Sequence, residues 1–259
     1  VPVLAILVFL PGKAPGAPPR LLRGTLFAAA AGLVTSLGNL AYYAALQRGE
    51  RAVTVIPLTA LYPLVTILLA VPLLGERLGG AQKAGAALSL LATYLFNVPS
   101  ETGLISGALV HALPPILLWG LSGLCQKIST AHLSGERSAL VFLAVALPVS
   151  LVILLREPAP VASMTPRMWA LVIALGLFFA LGNLGILLAF ARGGKASLIA
   201  PLGGLYPLVG VPIAIAFLGE RASAREGLGL AVALIAVVAL ALESPTAFPP
   251  DPNPRPTRT

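Results

Sequence analysis

The sequence predicts an all-α membrane protein, a polytopic helical bundle built as two inverted five-helix repeats. Three observations carry that expectation. Hydrophobic residues make up 58% of the 259-residue chain and charged residues only 10%, against roughly 25% charged in ordinary soluble domains. Apolar runs recur along the whole chain, each near the ~20 residues a helix needs to cross the hydrocarbon core. Finally, residues 37–92 return as residues 181–236 at a constant offset of 144, which superposes Asn39 on Asn183, Pro57 on Pro201, Tyr62-Pro63 on Tyr206-Pro207 and Gly75-Glu76-Arg77 on Gly219-Glu220-Arg221. Register held without a gap over that length marks an internal duplication.

Taken in order, residues 1–10 (VPVLAILVFL) are too short to span. The offset lays them on 145–154, the end of a full apolar run, so they read as the last part of a helix that begins outside the sequence. A Pro/Gly-rich linker follows. Helices are expected over about 23–46, 52–74, 81–97, 103–126, 138–155, 167–190, 196–218 and 226–242, eight complete spans plus the partial first one. Residues 243–259, polar and proline-rich, read as a disordered tail.

The offset pairs each helix of the first half with one of the second, except 103–126, whose counterpart would precede residue 1. The unit is therefore five helices, and the intact protein is expected to have ten. Five is odd, so equivalent helices cross in opposite directions, an arrangement found in many transporters. The division is 1–97 for the first repeat, lacking its first helix and part of its second, 98–242 for the second repeat, and 243–259 for the tail.

The net charge of +8 does not point to nucleic acid. The 17 Lys and Arg lie between the apolar runs, with no basic face interleaved with aromatics. Counted on alternate sides, Lys13, Arg20, Arg23, Arg77, Lys83, Lys127, Arg137, Arg192, Lys195, Arg255 and Arg258 outnumber Arg48, Arg51, Arg156, Arg167, Arg221 and Arg225. The positive-inside tendency then puts the larger group, and the C-terminal tail, in the cytoplasm. A single cysteine, Cys125, rules out an intrachain disulfide. His111 and His132 fall near opposite ends of one run, too far apart to share a metal. No phosphate loop, zinc motif or nucleophile elbow occurs, so no cofactor, metal or catalytic constellation is expected and the protein is not read as an enzyme.

Polar side chains at membrane depth are costly and face a partner helix or a wet cavity. Thr35, Asn39 and Tyr42 share one helix face, as do Thr59, Tyr62 and Thr66; the equivalent stripe in the second half is Gly203, Tyr206 and Gly210. His111, Pro115, Trp119, Ser122 and Gln126 line one side of another helix. Helix packing through small and hydroxylated residues accounts for such stripes as well, so both readings stand for Thr, Ser and Gly, while the paired tyrosines and Asn39/Asn183 favour cavity lining. Pro57, Pro63 and Pro72, with Pro201, Pro207 and Pro212, each remove a backbone donor and predict kinked, central helices over 52–74 and 196–218. Glu76-Arg77 and Glu220-Arg221, at the ends of those helices, are expected to cap and pair locally. Lys127 is expected to snorkel to the interface rather than to present its ammonium to an anionic substrate. All nine acids lie in loops, helix ends or the tail, so no mid-membrane carboxylate relay is visible.

At Trp119-Gly120 with Lys127, at Pro201 with Tyr206-Pro207, and at the paired Leu-Gly-Glu-Arg runs 74–77 and 218–221, the chain resembles the drug/metabolite transporter superfamily, of the type built from two EamA repeats. The resemblance covers about residues 1–242. It implies ten helices in two inverted halves, cytoplasmic termini, and alternating-access movement of small metabolites such as amino acids or purines across the inner membrane, often as export. The pathway is expected to be lined by Asn39, Tyr62, Trp119, Gln126, Asn183 and Tyr206, with Pro57, Pro63, Pro201 and Pro207 at the kinks. The expected partners are a small-molecule substrate and the lipid bilayer, with a homodimer left open. Two alternatives make different demands: a flippase for lipid-linked substrates needs a side opening to the bilayer, and a non-transporting scaffold or sensor needs a packed centre.

Overall fold

The computed structural model of the chain describes residues 20–76, 78–96, 106–156 and 164–242. The short apolar segment at the start, the linker, Arg77 and the proline-rich tail lie outside the described residues. Within them the chain is helical: α1 Leu21–Gln47, α2 Ala52–Thr59, α3 Tyr62–Leu74, α4 Gly80–Phe96, α5 Gly107–Thr130, α6 Gly135–Arg156, α7 Pro166–Ala191, α8 Ala196–Gly203, α9 Pro207–Leu218 and α10 Ala224–Ala241. Seven helical stretches, counting α2–α3 and α8–α9 as one each, are long and apolar enough to cross a membrane; α4, at 17 residues, falls just short. The surface suits that solvent. Leu22, Leu68, Phe178 and Phe217 are among many large apolar side chains left exposed, far more than a water-soluble surface carries. The chain is a multi-pass helical membrane protein.

The continuous helices expected over 52–74 and 196–218 are each broken instead. Pro63 has no N–H to offer the Thr59 carbonyl, and Pro207 has none for Gly203. The chain therefore tightens through shorter bonds, Leu61 N–H to Leu58 O and Leu64 N–H to Leu61 O. Leu205 N–H to Leu202 O and Leu208 N–H to Leu205 O repeat the same pattern 144 residues later. Each proline then starts a fresh helix, where its fixed φ is favourable. Both second segments stop at a left-handed glycine, Gly75 at φ +68° and Gly219 at φ +67°, a conformation that costs a residue without Cβ little.

The two broken helices lie against each other and run in opposite directions. Ala52 and Val53 meet Glu220, Thr59 meets Tyr206, Tyr62 meets Ala200, and Ala196 and Ser197 meet Glu76. Around them α1 packs antiparallel on α5 through glycines. A Cβ on Gly24 would stand 2.7 Å from Leu133, and one on Gly38 would stand 2.5 Å from Trp119 Cδ1. Such close approach of small residues is how helices associate in lipid. α4 and α10 pack the same way: a Cβ on Gly85 would stand 2.7 Å from the Leu240 nitrogen. One apolar cluster joins α1, α5, α6 and α7 around Phe142 and Leu187, and a second joins α2, α4, α5 and α10 around Leu58 and Ala233. α7 is the loosest wall, with most of its length exposed.

Candidate functional site

At the level of the two breaks the helices part around a cavity of about 520 Å³. Its wall takes Thr35, Asn39, Tyr42 and Tyr43 from α1, Tyr62 from α3, and Trp119, Ser122 and Gln126 from α5. Phe178, Phe179, Asn183 and Phe190 come from α7, Gly203 from α8, and Tyr206 from the second break. All six side chains singled out in the sequence, Asn39, Tyr62, Trp119, Gln126, Asn183 and Tyr206, are thus brought to one space. Among the described residues, none that lines it is charged.

The aromatic wall is organised around one indole. Trp119 lies 5.5 Å from Tyr42, centroid to centroid, and 6.1 Å from Tyr62 in an edge-on arrangement. Its Nε1–H donates to Asn39 Oδ1 at 3.1 Å, which satisfies the indole donor as burial requires. Gln126 Nε2 donates to Ser122 Oγ at 3.3 Å, and Ser122 shares a 2.6 Å bond with Thr35. Asn183 Nδ2 donates to Phe179 O within α7 at 2.8 Å.

The tyrosines belong to the breaks as well as to the cavity. Tyr206 Oη donates to Ile56 O at 3.0 Å and shares a 2.6 Å bond with Thr59 Oγ1. Tyr62 Oη reaches Ala200 O at 3.3 Å. The offset of 144 relates these contacts, Tyr62 to Tyr206 and Ile56 to Ala200. Pro57 and Pro63 are fully buried beside the first break. Pro201 lies in α8, and Pro207 opens α9.

Other sequence readings resolve differently. Thr66, on the same stripe as Tyr62, packs rather than lines the cavity: its hydroxyl donates to Gly120 O at 2.9 Å. His111 stands apart, with Nδ1 2.8 Å from Glu50 Oε1. Lys127 reaches the turn between α7 and α8. α5 runs on past Gln126 to Thr130, and the ammonium donates to Gly194 O at 2.6 Å while lying 5.8 Å from the Phe190 ring centre. The phenylalanines of α7 escaped the sequence reading, because cavity-facing and lipid-facing Phe look alike in an apolar helix. Their spacing with Asn183 on one helical face was the available signal.

Both ends of the broken pair are closed by carboxylates that cap the opposite helix. Glu220 accepts from Ala52 and Val53 N–H at 2.9 and 2.6 Å; Glu76 accepts from Ala196 and Ser197 N–H at 2.9 and 3.0 Å. The expected capping is there, but across 120 to 168 residues of sequence rather than locally. An anion at a helix N-terminus satisfies orphan donors and meets the positive end of the dipole. The Glu220 end carries more. Glu226, held in a capping box with Ser223, accepts from Thr54 Oγ1 at 2.7 Å and pairs with Arg51 at 3.0 Å, and Arg51 also reaches the Arg221 carbonyl. At the other end the residue equivalent to Glu226 is the neutral Gln82, which donates to Ser197 O and Leu240 O.

No curated protein matches the chain significantly. A solved crystal structure of another protein superposes with a TM-score of 0.54 over 86% of this chain and 88% of that one, at 21% identity, a likeness of fold. The EamA-like transporter family matches residues 1–98 and 106–242, nearly all of the chain and both of its similar halves. The members of that family are transporters. With a multi-pass apolar helical fold and the family pattern present in both regions, this chain belongs to the EamA-like transporter family within the drug/metabolite transporter superfamily.

Proposed function

We propose that the chain carries a small metabolite through its central cavity by alternating access, in the export direction across the inner membrane, with its C-terminus in the cytoplasm. The observation that carries this reading is the cavity itself, roughly the lower range of small-molecule sites, placed where both central helices are broken. Asn39, Tyr62, Trp119, Gln126, Asn183 and Tyr206 would contact the solute. Pro57, Pro63, Pro201 and Pro207 would set the bends about which α2–α3 and α8–α9 move. Non-helical backbone at membrane depth is tolerated where it is buried or lines a wet cavity, and broken helices of opposed direction are a common carrier device. The scaffold reading would need a packed centre, and a cavity of this size weighs against it.

The antiparallel pairing of the broken helices supports two inverted halves. Among the described residues the cavity residue Phe178 is 73% exposed, which would suit the second reading, a flippase with a side opening to the bilayer. Purified protein in liposomes should show saturable flux of a solute from a metabolite panel. Tyr62→Ala or Tyr206→Ala should cut it by about ten-fold or more, the scale of losing an aromatic anchor. Unchanged flux in both variants removes the cavity from the transport path.

A further inference from the structure

The two ends of the broken pair share one plan, with one change of chemistry. At the Glu76 end, Gln82 Oε1 accepts from Gly79 N–H at 3.0 Å, and Nε2 donates to Ser197 O at 3.3 Å. That carbonyl lies one helical turn before Pro201, which has no N–H to give it. The amide supplies the donor that the proline withholds. The offset of 144 carries Gly79 to Ser223, Gln82 to Glu226, Ser197 to Val53 and Pro201 to Pro57. Glu226 Oε2 accepts from Ser223 N–H at 2.8 Å, as Gln82 Oε1 does from Gly79. Glu226 Oε1 therefore corresponds to Gln82 Nε2, and Pro57 gives the Val53 carbonyl no N–H. An ionised carboxylate can only accept, whereas a protonated one carries an O–H. In shape and bonding the acid matches the amide of Gln82.

In the ionised form Oε1 is fed by other donors, Thr54 Oγ1 at 2.7 Å and Arg51 at 3.0 Å, which tie α10 to the start of α2. Glu226 is buried, yet with Glu50, Arg51, Thr54 and Ser106 it lines a pocket of about 370 Å³, with room for water. The surrounding charged and titratable groups come from each neighbouring element. Glu220 caps α2, and Glu50 lies 2.8 Å from His111 of α5. Arg225 of α10 reaches Tyr94 of α4, donating to its carbonyl at 3.0 Å and standing 5.5 Å from its ring centre.

Building on the carrier reading, we infer that Glu226 is a proton-binding site that makes one end of the carrier respond to pH. A proton from water adds to Oε1 and turns the carboxylate into the acid. The new O–H donates to Val53 O, as Gln82 Nε2 donates to Ser197 O. Arg51 loses its counter-ion and turns to solvent. Acid thus loosens the Glu226 end and leaves the Glu76 end, joined through an amide, as it was. In the proposed orientation the responsive end faces outside.

The test takes the full chain in lipid nanodiscs from neutral to acid pH, within the range where the helical circular dichroism is constant. Hydrogen exchange is expressed as protection factors, which removes the intrinsic pH dependence of the exchange reaction and reports local opening. Protection of the Ala52 and Val53 amides falls roughly ten-fold in acid, the worth of a hydrogen bond to a charged group, while that of Ala196 and Ser197 holds. Glu226→Gln shows the low value already at neutral pH and no step in acid. Infrared difference spectra of the parent gain a carboxylic-acid C=O component that Glu226→Gln removes and Glu50→Gln retains. The comparison of the two ends within the parent needs no variant, so it reports even if Glu226→Gln folds poorly. Equal behaviour of both ends, or a step that survives in folded Glu226→Gln, overturns the inference. A step that Glu50→Gln abolishes moves the proton to the Glu50–His111 pair and overturns the assignment of Glu226. Solute flux in liposomes without any step overturns the proton site alone and leaves the carrier standing.

Discussion

Glu220→Ala lowers the stability of the bundle, by an amount that the geometry sets. The carboxylate holds two backbone N–H groups, those of Ala52 and Val53, at 2.9 and 2.6 Å. These residues are only 5% and 2% exposed, so water replaces the lost acceptor poorly. Each bond contributes a net ~1–1.5 kcal/mol, in line with measured N-cap losses of up to ~2 kcal/mol, giving about 2–3 kcal/mol for the variant. At roughly 2–4 °C per kcal/mol for a chain of this size, the melting temperature in detergent falls by about 5–10 °C. Glu220→Gln keeps one acceptor oxygen and loses about half as much. The decisive comparison is Glu76→Ala, which frees the N–H groups of Ala196 and Ser197 at the far end, held at 2.9 and 3.0 Å and equally buried. Its melting temperature falls by the same amount. A shift under about 2 °C in both variants, or a fall in one and none in the other, would refute the reciprocal capping on which the estimate rests.

Two further predictions probe the packing and the charged end. Gly38→Leu forces atoms into the Trp119 indole, 2.5 Å from the glycine's would-be Cβ, so Trp119 fluorescence shifts and solute flux drops about ten-fold, whereas Gly176→Leu, with nothing among the described residues within 4 Å, leaves the helical circular dichroism and melting of this chain unchanged. Arg51→Ala removes the partner of Glu226 but leaves its bonds to Thr54 and Ser223; because the Arg51 side chain is 47% exposed, the loss discounted for solvent is about 1 kcal/mol, read as a fall of about 2–4 °C in melting temperature.

Much of the architecture was legible because the membrane imposes simple rules on sequence. Among the described residues, apolar runs gave the helix bounds to within a few residues, and the offset of 144 paired the residues whose roles recur: Tyr62 with Tyr206, Glu76 with Glu220, Gly75 with Gly219. The prolines marked the right places, but a proline kinks, starts or interrupts a helix depending on which carbonyls find other donors. The clean breaks before Pro63 and Pro207 therefore needed the tertiary partners. Glu76 and Glu220 were readable as caps, though not as caps of the opposite half, since nothing local specifies a partner more than a hundred residues away. The aromatic contribution of α7 was hidden for another reason. Hydropathy does not separate a phenylalanine that faces lipid from one that faces a solute, and only the polar Asn183 betrayed that face. The partner of Lys127, the Gly194 carbonyl, was not legible, because it lies in a turn with no side chain to advertise it.

The exchanged glutamates carry a consequence for leakage. Prising apart the Glu220 end bares the first amides of α2, and prising apart the Glu76 end bares those of α8; each is tolerable singly if water enters there. A conformation unsealed at both extremities would strand four helix-terminal amides and two carboxylates together, doubling the energetic cost. In a carrier that alternates as proposed, the duplicated clasp would disfavour a continuous pore thermodynamically, so that a membrane holding an ion gradient would stay tight while one mouth is ajar.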